Sequence, residues 1–206
     1  AVNSGKLKAQ GLNAGENGGK IDITADRIAL ENGSRLSTAG KSGGGQIRVG
    51  GDYQGGGDLA RSVETKVASD AVLDAGATDT GNAGTVIVWS DKDTYYEGSA
   101  LARGGENGGN GGLIEVSGKH YLDFSGSADT TAVLGETGIL LLDPTDIVIS
   151  SAAKSNVSGA SPFSPTADDV TSILNVTTLQ TALAANNVVV QTRATGSQQG
   201  NITVSN

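Results

Sequence analysis

The stretch GILLLDPTDIVIS, residues 138–150, decides the fold. It holds four consecutive apolar residues at 139–142, then Asp143-Pro144, then the alternating pattern Ile-Val-Ile at 147–149. Proline cannot donate to a strand ladder, and aspartate accepts hydrogen bonds from backbone amides in turns. The stretch therefore predicts two short strands joined by a sharp corner, the first of them covered on both faces.

The first of these strands belongs to a repeat that glycines mark. Each unit reads Gly, any residue, apolar, any residue, apolar, and the units begin at Gly19, Gly45, Gly84, Gly112 and Gly138. Their spacings are 26, 39, 28 and 26 residues, and the signature returns at Gly200. Because side chains alternate along a strand, the two apolar positions share one face. We expect one interior column made of Ile21, Ile47, Val86, Ile114, Leu140 and Ile202.

Further strand signals follow in each unit and define the fold class. Leu36 and Leu101 lie 17 residues after their glycines, whereas the counterpart in the second unit, Leu73, lies 28 residues after. The repeat predicts an all-β solenoid with about 26 residues per rung and three short strands per rung. A globular sandwich is the alternative, but it does not account for the recurring spacing. The longer second unit predicts a mobile loop, extruded from one corner near residues 55–70.

The regular repeat is predicted to end after residue 150. We expect rungs over residues 1–150, an insertion over 151–199 with a short helix near 177–186, and the next rung at 200–206. Thr177 would cap the helix, and Leu179 and Leu183 would pack over the outward Leu141. This insertion would either pack against the sheet and cover it or form part of a ligand-binding groove.

Composition excludes several functional classes. The net charge of −8 and the pI near 4.5 disfavour nucleic acid and an anionic membrane surface as partners. No stretch approaches the roughly 20 apolar residues of a membrane-spanning helix. The chain lacks cysteine and has one histidine, His120, so it offers few ligands for zinc or haem. We therefore expect no cofactor, no metal and no catalytic residue.

Four motifs in order resemble the filamentous-haemagglutinin-like exoproteins of two-partner secretion. They are Gly-Gly-Asp-Tyr at 50–53, Val-Trp at 88–89, Gly-Gly-Asn-Gly-Gly at 108–112 and Leu-Leu-Leu-Asp-Pro at 140–144. The resemblance covers residues 1–150 well and 170–206 more loosely. It implies a right-handed parallel β-helix in an internal fragment of a large secreted bacterial adhesin. Such a protein crosses the outer membrane through a partner pore.

The predicted function is a non-enzymatic structural and adhesive segment, secreted or on the bacterial cell surface. Its partner would be a receptor or glycan on a host or neighbouring cell, with no nucleic acid and no membrane insertion. Specificity should arise where the repeat is broken, because repeated faces are flat. The candidate contact residues are Arg61, Glu64, Lys66, Ser155, Phe163, Asp168 and Asp169.

Two rival functions remain open. One is a polysaccharide-active, lyase-like enzyme on a β-helix, for which Asp91 and Asp93 around Lys92 are the acidic cluster. Such an enzyme should stack outward acidic and basic residues on adjacent rungs, and the third positions after the repeat glycines show no such stack. The other is the passive stalk of a contact-dependent toxin-delivery exoprotein. Trp89, Tyr95, Tyr96 and Tyr121 could form an exposed aromatic strip; alternatively, Trp89 and Tyr95 pack at a corner.

Overall fold

The computed structural model describes residues 1–152, 171–193 and 199–205. Within them the chain is mostly β-structure in parallel sheets, with one short α-helix. The strands, in chain order, are β1 (Val2–Asn3), β2 (Lys6–Lys8), β3 (Lys20–Ile23), β4 (Arg27–Leu30), β5 (Arg35–Ser37), β6 (Gln46–Val49), β7 (Glu64–Val67), β8 (Val72–Asp74), β9 (Thr85–Ser90), β10 (Asp93–Tyr96), β11 (Ser99–Leu101), β12 (Leu113–Gly118), β13 (Tyr121–Phe124), β14 (Ser127–Asp129), β15 (Ile139–Leu142), β16 (Ile147–Ser150), β17 (Ser172–Asn175), β18 (Asn187–Val190) and β19 (Ile202–Val204). The helix is α1 (Val176–Leu183).

Three parallel sheets contain most of the strands. The six-stranded sheet has the order β18-β15-β12-β9-β6-β3, and the two five-stranded sheets have the orders β1-β4-β7-β10-β13 and β14-β11-β8-β5-β2. From β3 to β14 the chain visits the three sheets in the same cyclic order. Each strand is therefore paired with its equivalents in the preceding and following repeats.

The six-stranded sheet confirms the glycine repeat over its first five units. Ile21, Ile47, Val86, Ile114 and Leu140 are register partners from strand to strand, and all are buried. The glycine before each strand has a packing reason. A Cβ added at Gly45, Gly84, Gly112 or Gly138 would lie 1.7–2.1 Å from the carbonyl oxygen of the equivalent glycine in the preceding unit. Only glycine permits the backbones to approach so closely.

The core is one cluster of buried, mostly aliphatic side chains to which all three sheets contribute. The first five-stranded sheet adds Leu30, Val67, Tyr96 and Phe124, of which the Tyr96 and Phe124 rings are stacked with centroids 5.6 Å apart.

The other five-stranded sheet shows that the predicted position of Leu101 is wrong by one residue. Ala100, fully buried, pairs with Leu73, and Leu101 is turned away from it. A shift of one residue moves a side chain to the opposite face of a strand.

The corner loop is shorter than predicted, because its last predicted residues form β7. Glu64, Thr65 and Val67 are buried in the first five-stranded sheet, between β4 and β10. The irregular segment is residues 50–63, which we call the corner loop. It contains one turn of 3₁₀ helix at Tyr53–Gly55. The 11-residue surplus in spacing thus lies before β7, and β7 itself is a core strand.

The last part of the described chain departs from the prediction in two ways. The strand that continues the six-stranded sheet is β18, so Val188 pairs with Leu140. The predicted partner, Ile202, lies in β19 and pairs with Ile147 in a separate sheet of order β17-β16-β19, where Ile202 is 48% exposed. In β18 the repeat glycine is replaced by Asn186. Its buried side chain donates to the carbonyls of Ala128 and Ala182, so no Gly signature marks this strand.

The helix is confirmed, but its cap and its docking site differ from the prediction. Asn175, not Thr177, caps it: the Asn175 side chain accepts from the Thr177 backbone N–H at 2.9 Å. The helix packs mainly against β14, β17 and β18. Ala182 is buried and Leu179 packs against the core, whereas Leu183 is 55% exposed. The proposed packing of Leu183 over Leu141 is therefore wrong.

Candidate functional site

The corner loop folds over the outward face of the six-stranded sheet and builds the candidate site. Arg48 on β6 anchors the start of the loop, because its guanidinium binds both Asp22 on β3, at 2.8 Å, and Asp52. The loop then lies flat on the indole ring of Trp89. A Cβ at Gly51 or Gly55 would come within 2.7 or 2.4 Å of that ring, so both positions need glycine.

A buried carboxyl group holds the middle of the loop. The Gln54 backbone N–H donates to Glu115 on β12, with both carboxyl oxygens at 3.0 Å, and the Ser117 hydroxyl donates to the same group at 2.8 Å. Gln54 has φ 53°, a left-handed conformation that is uncommon outside glycine. Burial raises the pKa of Glu115 to about 7, against the effect of its two donors. The backbone of the strained residue is thus held by a buried carboxyl group.

The same loop covers the apolar outward face that Leu141 marks. The Gln54 side chain reaches Gln191, which follows β18, at 3.4 Å. Since β15 lies between β12 and β18, this contact crosses the outward side of β15. Leu141 is 3% exposed, and Ile87 on the other side of β12 is 1% exposed. The loop, and not the helix, therefore provides cover on this face.

A cavity of about 220 Å³ remains where the corner loop meets the ends of the strands; we call it the corner cavity. Its walls come from the loop and from the turns that follow β9, β12, β15 and β18. The lining residues are Gln54, Gly55, Arg61, Trp89, Asp91, Lys119, Asp143, Pro144, Thr145 and Arg193. Parallel strands place all these turns at one edge of the sheet, although the residues span most of the chain.

Two ion pairs organise the charges of the corner cavity. Arg61 binds Asp91 with Nε and Oδ1 3.0 Å apart, and Arg193 binds the buried Asp143 with Nη2 and Oδ2 2.9 Å apart. Burial raises the pKa of Asp143, and Arg193 opposes this change. Lys119 adds a third cation, so the lining carries one more positive than negative charge. This local balance is the opposite of the net charge of −8 of the chain.

The predicted contact residues do not form one site. Arg61 lines the corner cavity, but Glu64 and Lys66 lie on β7, in the first five-stranded sheet. Glu64 is 4% exposed. The other four, Ser155, Phe163, Asp168 and Asp169, lie outside the described residues. Lys119, Asp143 and Arg193 were not predicted as contact residues, because only the stacking of the strands reveals their proximity.

A second polar group lies on the outward face of the first five-stranded sheet. Glu64 and Asp93 are register partners on adjacent strands, and His120 Nδ1 lies 3.1 Å from Asp93 Oδ1. Burial raises the pKa of Glu64; the charge of Arg27 opposes this change, and the charge of Asp93 adds to it. Outward acidic residues therefore do stack on adjacent strands. The sequence-based search missed them because it covered only the six-stranded sheet.

The aromatic residues do not form an exposed strip. Trp89, Tyr96 and Tyr121 are each less than 5% exposed. Tyr95 is half-buried and contacts the Tyr121 ring, with centroids 5.7 Å apart. The alternative, in which Trp89 and Tyr95 pack at a corner, is confirmed for Trp89, whereas Tyr95 stays partly exposed.

Within residues 1–152, 171–193 and 199–205, no helix is long and apolar enough to cross a membrane. The same described residues include no group of three or more acidic or histidine side chains that could hold a metal ion. No protein-family model matches the chain, and no curated protein matches it.

Proposed function

We propose that the chain is a right-handed parallel β-helix that serves as a non-enzymatic, adhesive segment of a large secreted bacterial exoprotein. One observation carries the proposal: strands of three sheets pair in parallel and in register with the equivalent strands of neighbouring repeats. Each stacked repeat of this kind lengthens the protein along one axis without widening the core. A stiff rod of this form can present a contact site at a distance from a cell.

The resemblance to filamentous-haemagglutinin-like exoproteins supports the cellular context of the proposal. Its Leu-Leu-Leu-Asp-Pro motif forms β15 and the following corner, and its Gly-Gly-Asp-Tyr motif forms the start of the corner loop. On this basis the segment acts outside the cell or on its surface, after export through a partner pore. Its partner is a receptor or glycan on another cell.

An attachment assay tests the adhesive function. Beads coated with the chain should attach to mammalian or bacterial cells in a saturable way, and soluble chain should compete with them. Beads coated with serum albumin are the control for non-specific attachment. Attachment no greater than that of albumin would contradict adhesion and favour the passive stalk of a toxin-delivery exoprotein.

A second function, polysaccharide cleavage, is favoured by the stacked Glu64 and Asp93 beside His120. A lyase removes the C5 proton next to the uronate carboxylate, and the C4–O glycosidic bond breaks as a C4=C5 double bond forms. The leaving sugar oxygen takes up a proton, and the unsaturated product absorbs ultraviolet light. Incubation with polyuronates should then increase the absorbance, and Asp93→Asn should abolish the increase. No increase in absorbance with any polyuronate would exclude this second candidate.

A further inference from the structure

We infer that the corner cavity binds a single carboxylated sugar residue, such as a hexuronate. The inference rests on the proposed adhesive function, for which it names the class of ligand. The site is distinct from the Glu64–Asp93 pair, because its lining belongs to the corner loop and to the edge of the six-stranded sheet.

The cationic side chains of the cavity have N–H donors that their protein partners do not use and that can bind a ligand. Arg61 uses Nε on Asp91 and Nη1 on the carbonyl of Gly55, at 3.1 Å. Arg193 uses Nη2 on Asp143. Since a guanidinium has five N–H donors, both arginines can donate further. Among the residues that the structure describes, Lys119 has no carboxylate partner, so its ammonium can bind an anionic group.

The charge balance favours a monoanion that also carries hydroxyl groups. Three cations and two carboxylates leave one positive charge, which one ligand carboxylate would neutralise. Asp91 and Asp143 would repel a phosphate dianion more strongly than a monoanion, and they can accept hydrogen bonds from sugar hydroxyls. Pro144 and the small exposed part of the Trp89 indole supply apolar surface for the ring.

The size of the cavity limits the ligand to one sugar residue. Its volume of about 220 Å³ is below the roughly 300–1,000 Å³ of sites for drug-sized molecules. A chain of several sugars would place only one residue inside.

Trp89 is the only tryptophan, so its fluorescence reports binding in the cavity directly. Titration of the whole chain with sodium glucuronate should give a saturable change in fluorescence, and a short glucuronate oligosaccharide should give the same change. Glucose, which lacks the carboxylate, and inorganic phosphate should give none. No response to glucuronate, an equal response to phosphate or glucose, or a response to the oligosaccharide alone would each overturn the inference.

A pair of lysine variants tests the position of the site. Lys119→Gln should weaken glucuronate binding by about tenfold, the effect of losing one charge-assisted contact. Lys92→Gln is the matched control, because Lys92 is exposed on the neighbouring turn and does not line the cavity. Equal affinities in both variants would overturn the inference. Glucuronate binding without cell attachment would leave the inference standing and contradict only the proposed adhesion.

Discussion

Glu115 is a carboxyl group without exposed surface, and its ionisation should affect stability. Burial raises its pKa from 4.5 to about 7; Asp143 adds to the rise, and Arg193 and the hydrogen bonds from Gln54 and Ser117 oppose it. The folded state thus favours the neutral form. The contribution of this group to the free energy of unfolding should fall by at most about 3 kcal/mol as the pH rises from 4.5 to about 7. Above about pH 7 it should stay low.

The variant Glu115→Gln should remove this part of the pH dependence. Urea denaturation at about pH 5 and about pH 8 measures it, as the difference in the free energy of unfolding between the two conditions. The wild type should lose more stability than the variant on going to the higher pH. Glu106→Gln, at an exposed position, should behave as the wild type does. If Glu115→Gln keeps the full dependence, the group is not titrating under the loop.

Gly55 is needed for two separable reasons, a left-handed backbone with φ 64° and the contact with Trp89. Gly55→Ala should therefore destabilise the protein by about 2–3 kcal/mol and shift the Trp89 fluorescence to the red. Gly15→Ala separates the two effects, because Gly15 has φ 86° but nothing within 4 Å of an added Cβ. We expect it to cost about 1 kcal/mol without a spectral change. Similar results for the two variants would contradict the contact of the loop with the indole.

At the scale of elements, the corner loop has the covering role that the sequence assigned to helix α1. The loop crosses the outward face of β15, and the helix lies at the end of the sheet that finishes with β14. The helix shields β14, whose ladder would otherwise end in an open edge, and open edges favour pairing with other chains. A hydrogen bond joins the end of β14 to the turn after the helix: the Thr130 backbone N–H donates to the carbonyl of Ala185.

Serine variants test this docking. Leu183→Ser should change the free energy of unfolding by less than about 0.5 kcal/mol, because the side chain is largely exposed. Leu141→Ser and Leu179→Ser should each cost about 2–4 kcal/mol in urea denaturation, since both residues pack in the protein. The losses from Leu141→Ser and Leu183→Ser should add in the double variant. A coupling above about 0.5 kcal/mol would restore the original docking hypothesis.

At the scale of the molecule, stability depends on one continuous core. Ile114 lies in its centre, with Val86 and Leu140 as register partners on either side. Ile114→Asp should bury an unpaired charge and cost more than about 4 kcal/mol, measured by thermal denaturation. Ile139→Asp is the control: Ile139 is on the neighbouring strand, faces outward and is 43% exposed. If both variants melt at the same temperature, Ile114 does not have the assigned register.

The pattern of single residues was sufficient to predict the repeat and its interior. From Gly19 to Leu142 the alternation of apolar and polar residues assigns faces, because strand geometry has a period of two. Leu101 is the exception, since its neighbour Ala100 takes the interior position. It also predicted the corner at Asp143-Pro144, which separates β15 from β16. These features depend on residues close together in the chain, so local sequence suffices for them.

Tertiary structure alone decided which strands pair and what covers them. β18 and β19 carry similar alternating residues, yet only β18 pairs with β15, because Asn186 fits the end of β14 and the helix. Likewise, the corner loop covers Leu141 because Glu115, 61 residues away, binds the Gln54 amide. The corner cavity follows from the same stacking, which brings Arg61, Lys119 and Arg193 to one edge. Strand pairing and surface coverage depend on competition between distant segments for one surface, and a local sequence pattern does not predict the outcome of that competition.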